Sequence, residues 1–340
     1  MLKFQQKLED RMNRGSVRSL SLFSGAIDFF SNDYLGLTRQ IEKQWMVPTG
    51  SSGSRLISGN STEAETTETW MADFFESESA LVFNSGYDAN LGFFSSVPQR
   101  GDFIVYDELI HASVRDGIRL SNAQSFSFKH NDCTDLIRKI NRTTGTVFVA
   151  IESLYSMDGD IAPLAEIAEI CTQKNALLVV DEAHACGIFG AKGKGLCSET
   201  GILKQTFARI ITFGKAYGTH GAAVLGASEL NSYLINFARS FIYTTALPPY
   251  QYAHIQHQIE QSLSDENREQ LQQNIQLFRK LMGTGINISD ERSPIQVLLF
   301  PGIDHALSKA AYLQNKHFAV KAILSPTVPE GQERLRICIH

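Results

Sequence analysis

The chain has 340 residues, which at roughly 150 residues per domain predicts about two domains. Hydrophobic residues make up 43% of it and charged residues 20%, so it can bury a large core and is not intrinsically disordered. No apolar run reaches the roughly 20 residues that a membrane span needs. The net charge of −5 excludes the broadly basic surface of a nucleic-acid-binding protein, although a local basic patch could exist.

The cysteines predict free thiols rather than a metal or disulfide framework. Their number is odd, their spacing is wide, and no CxxC pair occurs among Cys133, Cys171, Cys186, Cys197 and Cys338. Free thiols are typical of the reducing cytosol, so we expect a cytoplasmic protein without a structural metal.

From residue 79 onward, short apolar runs alternate with helical patterns. The candidate strands are 80–84, 102–106, 124–128, 146–151, 176–180, 208–213 and 222–226. The helical patterns between them cover 87–97, 109–120, 132–142 and 163–175. Near-continuous Val, Ile and Leu runs are typical of sheets that are covered on both faces. The alternation therefore predicts an α/β fold with a mostly parallel sheet.

After about residue 230 the pattern changes, which indicates a second, smaller α+β unit. Residues 229–283 read as helix, and a strand at 295–300, a helix at 304–317 and a strand at 318–323 follow. At 334–340 the sequence RLRICIH alternates apolar and polar residues, which predicts a strand that runs to the last residue.

The first candidate functional segment is DEAH at 181–184, directly after an apolar run. A carboxylate just past a buried strand lies where α/β sheets place their ligand groups. One class of helicase carries the same four letters, but the GxxxxGK[ST] phosphate loop it requires is absent here. A metal site at Asp181 and His184 lacks an evident third ligand. A carboxylate satisfied by nearby backbone remains an alternative at this point.

The second candidate is Lys215, which follows an apolar strand and lies between Gly214 and Gly218. Lysines are rarely buried, and an apolar turn disfavours the charged form of the amine. Such an amine is the nucleophile of Schiff-base chemistry, although a surface lysine in a loop would have the same sequence. Pyridoxal phosphate requires a lysine for its aldehyde and an acid for its ring nitrogen. Lys215 and Asp181 could supply both from the ends of two strands.

Three more segments follow predicted strands. In NSGYDAN at 84–90, Ser85, Gly86 and the N–H groups that open a helix could bind a phosphate, or could form an ordinary βα turn. His111 could stack on a flat ring, or could be a structural histidine. The segment 152–160 could place polar groups at the strand ends beside the other candidate residues, or could form an Asx-type turn. Its polar residues are Ser156, Asp158 and Asp160.

Taken together, these segments resemble the α-oxoamine synthases, which are fold-type I pyridoxal-phosphate enzymes. The resemblance runs from about residue 8 to the end and depends on nine strings in order. They are SNDYLGL at 31–37, GSSGSRLISG at 50–59, SGYDAN at 85–90, HAS at 111–113, SMDGD at 156–160, VVDEAHACGIFG at 179–190, TFGKAYG at 212–218, YTTALPP at 243–249 and SPTVPEGQERLRI at 325–337.

The resemblance implies a domain organisation. A large cofactor-binding domain with a mostly parallel seven-stranded sheet would span 37–230, and a discontinuous small α+β domain would comprise 1–36 and 231–340. Family members continue beyond the RLRI strand into a final helix, so we expect the carboxyl-terminal end of the small domain to be incomplete.

The resemblance also implies cofactor-binding residues. Lys215 would be joined to the cofactor aldehyde, Asp181 would pair with the ring nitrogen, and His184 would bond the phenolic oxygen. His111 would stack on the ring as a further catalytic residue. The remaining contacts, to the phosphate or near the ring, would come from Ser85, Gly86, Tyr87, Ser156 and Thr212.

Substrate and partner contacts follow in the same way. Arg336 would hold the amino-acid carboxylate with help from Asn32, and Arg18 and Thr327 would contact the acyl substrate. Thr244 and Thr245 would reach the phosphate of the other subunit, which implies a homodimer with shared active sites.

The reaction implied is the condensation of an amino acid with an acyl thioester, with loss of carbon dioxide. Members of the family differ in using alanine, glycine or serine and in the acyl chain. Two departures from the family pattern are Leu324, where many members that act on a dicarboxylic acyl chain carry Arg, and Ser52, where Gly is frequent. A non-catalytic dimer partner is the alternative from another class, and the presence of Lys215 argues against it.

Overall fold

The computed structural model describes residues 12–15, 25–37, 47–283 and 288–340. The chain divides into two compact units. The larger comprises Asp33–Ser156 and Ile161–Gln270, and the smaller draws on Met1–Asn32, Met157–Asp160 and Leu271–His340.

Most strands lie close to their predicted positions. In chain order they are β1 (Ile27–Asp28), β2 (Ser79–Phe83), β3 (Phe103–Asp107), β4 (Gln124–Phe128), β5 (Val147–Glu152), β6 (Leu177–Asp181), β7 (Thr206–Thr212), β8 (Ala222–Gly226), β9 (Ile295–Leu299), β10 (Phe318–Ala319), β11 (Ala322–Ile323) and β12 (Arg334–Cys338).

The described helices are α1 (Thr62–Phe74), α2 (Gly86–Ser96), α3 (Ala112–Leu120), α4 (Cys133–Ile140), α5 (Leu164–Gln173), α6 (Leu196–Glu199), α7 (Ser228–Phe237), α8 (Arg239–Ile242), α9 (Pro249–Gln261), α10 (Glu266–Met282) and α11 (Ile303–Gln314). Short 3₁₀ turns occupy Ala191–Gly193 and Leu203–Gln205. Among the described residues, no helix is both long enough and apolar enough to cross a bilayer.

The larger unit is built on a seven-stranded sheet with the order β2-β8-β7-β6-β5-β3-β4. Strand β8 is antiparallel to both of its neighbours, and every other neighbouring pair is parallel. The predicted mostly parallel seven-stranded sheet is therefore confirmed.

Both faces of this sheet are covered, which explains the continuous apolar runs. Successive residues of a strand pack in different cores. On β2, Leu81 belongs to one apolar cluster and Val82 to the other, and on β7, Ile210 and Ile211 are divided between the same two clusters. Side chains alternate across a strand, so a strand buried on both faces is apolar at nearly every position.

The sequence patterns did not predict helix α1. Its sequence, TEAETTETWMADF, is mostly polar, but Met71 is fully buried. Ser61 caps the helix, since its hydroxyl accepts the Ala64 N–H at 3.2 Å. Because this segment lacks a continuous apolar run, only its packing against the sheet reveals its role.

The boundary of the larger unit differs from the predicted one near residue 230. The unit continues to Gln270 because the following helices pack onto its sheet. Leu234 of α7 belongs to one core cluster, and Tyr252 and Ile255 of α9 belong to the other.

The smaller unit contains a three-stranded antiparallel sheet with the order β11-β12-β9 and a parallel pair, β1 and β10. The single strand predicted at 318–323 is wrong, because β10 and β11 pair with different partners. Segment 157–160 joins this unit at Gly159, where φ is +70° and a Cβ would lie 2.2 Å from the Ile295 carbonyl oxygen. Only glycine fits this close approach.

Candidate active site

The carboxyl ends of the parallel strands open into a cavity in the larger unit. Strands β5 and β6 end in Glu152 and Asp181, which are register partners on neighbouring strands. Ligand sites in open α/β sheets lie at this edge. The cavity has a volume of about 200 Å³ and is lined by Ser85, Gly86, Tyr87, Asn90, His111, Ser113, Glu152, Asp181, Ala183, His184, Thr212, Gly214, Lys215, His220 and Gly221.

Asp181 is held firmly at the end of β6. One carboxylate oxygen accepts the Asn90 side-chain N–H at 2.7 Å, and the other accepts the Ala183 backbone N–H at 2.9 Å. The residue is 5% exposed, so these bonds fix the direction of the carboxylate in a largely dry environment. In the described part of the chain, no group of three or more His, Cys, Asp or Glu side chains could hold a metal ion.

His111 is the N-cap of helix α3 and is joined to Asp181 through a short network. Its Nδ1 accepts the Ser113 backbone N–H at 3.2 Å, and the Ser113 hydroxyl accepts the Asn90 side-chain N–H at 3.0 Å. Partial burial lowers the pKa of His111, the charge of Lys215 lowers it further, and Asp181 opposes both effects. The imidazole is therefore neutral at physiological pH, with its second nitrogen protonated.

His184 is buried and contacts an aromatic residue from the SNDYLGL segment. The Tyr34 hydroxyl and the Nδ1 of His184 share a hydrogen bond of 2.9 Å. This contact fixes the orientation of the His184 ring, which lines the cavity.

The start of helix α2 is suited to binding a phosphate. The Ser85 hydroxyl caps the helix by accepting the Asp88 N–H at 3.1 Å. The N–H groups of Gly86 and Tyr87, in the first turn, have no acceptor within the helix and can bind an anion. A Cβ at Gly86 would lie 2.4 Å from Cγ2 of Thr212, so the backbone approaches Thr212 as only glycine permits.

The loop between β7 and β8 carries Lys215, which is half-buried. The Phe213 N–H donates to the Gly221 carbonyl, and the Thr219 N–H donates to the Phe213 carbonyl, each at 2.9 Å. These bonds close the loop and hold the lysine at the cavity. His220 of the same loop also lines the cavity.

The segment around residue 156 does not contribute to the lining. Ser156 ends one part of the larger unit, and the next residues belong to the smaller unit. There Asp158 forms an ion pair with Arg334. Ser289 donates its hydroxyl to the Asp158 carbonyl at 2.7 Å, so the structure gives Asp158 a packing role.

Thr244 and Thr245 also lie outside the cavity lining of their own chain. Asn84, at the end of β2, donates its amide to the Thr244 hydroxyl and to the Thr245 carbonyl, each at 3.0 Å. Both residues are half-buried or exposed.

Two of the four predicted substrate residues lie together in the smaller unit. Arg336 donates to the Asn32 side-chain oxygen at 2.9 Å and to the Cys338 sulfur at 2.9 Å, and it is 8% exposed. Thr327 is exposed in a turn. Arg18 lies outside the described residues.

Several cavity residues were not predicted as site residues, among them Asn90, Ser113, Glu152 and His220. Asn90 and Ser113 lie within strings already assigned to a site, and His220 lies two residues beyond one. Glu152 carries a further signal, since it ends an apolar strand just as Asp181 does.

The residues present fit pyridoxal phosphate. Gly86 leaves a cradle that a Cβ would fill, and Asn90 and Glu152 each have a buried oxygen without a hydrogen-bond partner. The amine of Lys215 and the carboxylate of Asp181 match the aldehyde and the ring nitrogen.

The chain belongs to the aminotransferase class I and II family, whose sequence profile matches residues 24–340. Within it, the resemblance to the α-oxoamine synthases is confirmed. The chain is 41% identical to 8-amino-7-oxononanoate synthase of Emericella nidulans, spanning 98% of this chain and 89% of the relative. It is 37% identical to the synthase of that name from Marinobacter nauticus, spanning 100% of this chain and 92% of the relative.

Solved structures share the fold. Serine palmitoyltransferase of Sphingomonas wittichii has a TM-score of 0.90 at 26% identity, with 99% of this chain and 91% of that chain covered. 8-Amino-7-oxononanoate synthase of Francisella tularensis has a TM-score of 0.79 at 30% identity, with 93% and 92% covered. Pyridoxal phosphate is the cofactor of this enzyme group, and a serine palmitoyltransferase structure contains it.

Proposed function

We propose that this protein joins L-alanine to a pimeloyl thioester, of CoA or of a carrier protein, in biotin biosynthesis. The products are 8-amino-7-oxononanoate, carbon dioxide and the free thiol. The observation that carries the proposal is the common cavity of Lys215 and Asp181 in a chain 41% identical to a synthase of that name.

Pyridoxal phosphate, when bound, withdraws electrons from the α-carbon of the amino acid. Asp181 would keep the ring nitrogen protonated. The hydrogen bonds from Asn90 and from the Ala183 N–H hold its carboxylate in place for this role. Lys215 Nζ would be the base that removes the α-proton of the bound amino acid. Neutral His111 would cover the ring of the bound cofactor, and His184, which lines the same cavity, would bond its phenolic oxygen.

The other cofactor contacts are polar. Gly86 and Tyr87 offer backbone N–H groups to the phosphate, Thr212 offers its hydroxyl, and Ser85 orients the helix start. Ser156 is assigned to the ring side of the cofactor by the family resemblance alone, since it does not belong to the cavity lining.

Arg336 binds the carboxylate of alanine, and Asn32 orients the guanidinium. Arg is suited to this role because its planar fork binds both carboxylate oxygens. Arg18 and Thr327 contact the acyl thioester.

We further propose a cytoplasmic homodimer in which Thr244 and Thr245 bind the phosphate held by the partner subunit. Asn84 supports this role, because it fixes both residues outside the cavity of their own chain. The five cysteines are free thiols, as is common in a reducing compartment.

The test is a substrate panel. Purified enzyme is supplied with L-alanine, glycine or L-serine, together with pimeloyl, acetyl or palmitoyl thioesters of CoA and pimeloyl-carrier protein. We expect the amino ketone from alanine with a pimeloyl donor. Turnover of glycine with acetyl-CoA, or of serine with palmitoyl-CoA, in place of that pair would contradict the assignment. The structural similarity to serine palmitoyltransferase makes the serine arm a necessary comparison.

A further inference from the structure

Three neighbouring strands of the central sheet end in carboxyl groups. In the order β6, β5 and β3, their last residues are Asp181, Glu152 and Asp107. All three side chains are buried, with residue exposures of 5%, 3% and 0%. Glu152 is the register partner of Asp181, so these two side chains share one face of the sheet. Asp107 follows the Tyr106–Ala150 pair, which places its side chain on the opposite face.

The two outer carboxylates have the donors that an anion requires. Asp107 accepts from Nδ1 of His130 at 2.9 Å and from the backbone N–H groups of Leu109 and Asn131 at 2.8 and 3.0 Å. Asp181 accepts from Asn90 and from the Ala183 N–H, as described above. Hydrogen bonds of this kind stabilise the charged form of a carboxyl group.

The middle carboxyl group is in a different environment. Oε1 of Glu152 is buried without a hydrogen-bond partner, and the residue lines the cavity. Burial raises the pKa of Glu152 well above its ordinary value, and the negative charges of Asp181 and Asp107 act in the same direction. Lys215 and the backbone N–H of His111 oppose the shift; each effect is smaller than those of burial and of Asp181, and larger than that of Asp107.

We propose that Glu152 is a positioning residue of the active site, present as a neutral carboxylic acid. It faces the backbone N–H of His111 and so supports the residue that covers the cofactor. Because it carries no charge, Asp181 provides the single carboxylate that pairs with the ring nitrogen. The inference rests on the proposed cofactor site but not on the choice of substrate.

The test compares Glu152→Gln, Glu152→Ala and the surface control Glu169→Gln in the holoenzyme. Glutamine has the shape and neutrality of the protonated acid, whereas alanine removes both. The readouts are cofactor affinity, measured by absorbance titration of the apoenzyme, and the midpoint pH of the visible absorption change. Neither readout requires substrate.

We expect E152Q and E169Q to bind cofactor within about twofold of wild type and to keep the midpoint within roughly 0.3 pH units. E152A should bind about tenfold more weakly. If Glu152 were ionised, its removal in E152Q would destabilise a nearby positive charge and lower the midpoint by about half a pH unit or more. Such a shift, or affinity loss in E152Q as large as in E152A, would overturn the proposal. Failure of wild type to bind cofactor would instead contradict the proposed site.

Discussion

At the scale of single residues, the proposed chemistry depends most on Lys215, which a closed loop holds at the cavity. Borohydride reduction of the holoenzyme should fix the cofactor to this residue, as identified by mass spectrometry of the peptides. K215A should retain no covalent cofactor and should lose activity by roughly 10²–10⁴-fold, because the proton acceptor is missing. The exposed control K204A should remain labelled at Lys215. A label on another lysine would contradict the assignment.

Glu152 has a consequence for stability as well as for the site. The folded state raises its pKa above the ordinary value of 4.5, so ionisation is harder in the folded chain than in the unfolded chain. Its contribution to stability is therefore complete below about pH 4.5 and is lost as the pH rises toward the folded-state pKa.

The E152Q variant should lack this loss. The difference in free energy of unfolding, E152Q minus wild type, should rise between pH 5 and 8 by up to about 1.4 kcal/mol per pH unit. Urea unfolding at several pH values measures it, with E169Q as the surface control. A difference that does not change with pH would contradict a raised pKa.

At the scale of elements, Glu182 connects strand β6 to the glycine-rich segment 186–201. Its buried carboxylate accepts the Cys197 N–H at 2.9 Å and lies 3.4 Å from Arg209. Gly195 packs against this carboxylate with a φ of +102°, and a Cβ added to Gly195 would lie 2.7 Å from the Glu182 oxygens.

Gly195→Ala should therefore lower the free energy of unfolding by about 2 kcal/mol or more, through both backbone strain and displacement of Glu182. Gly201→Ala is the matched control, since Gly201 also has a positive φ of +72° but no atom within 4 Å of its Cβ position. It should cost about 1 kcal/mol. Denaturant unfolding of both variants measures the difference, and equal losses would mean that the contact with Glu182 is unimportant.

At the scale of the whole molecule, the proposed dimer predicts that inactive subunits complement one another. A K215A chain keeps Thr244, and a T244D chain keeps Lys215. In a mixed dimer, the site on the T244D chain would receive an intact Thr244 from its partner. Random mixing after refolding should therefore restore about a quarter of wild-type activity, since half of the dimers are mixed and each has one intact site.

Each variant alone should remain inactive, and mass measurement should give twice the 37.8 kDa of one chain. If mixing restores no activity although mixed dimers form, Thr244 does not act across the subunit boundary.

The sequence by itself determined the central sheet, the family and the principal site residues. A strand that is buried on both faces has a continuous apolar run in its sequence. The side chains that bind a cofactor follow these runs, at the carboxyl edge of the sheet. The positions of Lys215, Asp181 and His111 could therefore be predicted without a structure. Helix α1 and the division of 318–323 between two partners could not, because their patterns are short or mostly polar.

Only the tertiary structure decided which polar groups surround these residues. The chain of bonds from His111 through Ser113 and Asn90 to Asp181 joins three separate segments. The surroundings of Glu152 depend mainly on burial and on Asp181, which comes from a neighbouring strand that helix α5 separates from it in sequence. Hydrogen bonds and electrostatic effects act through space, so strand order and register, which the sequence does not show, determine which charges surround this acid.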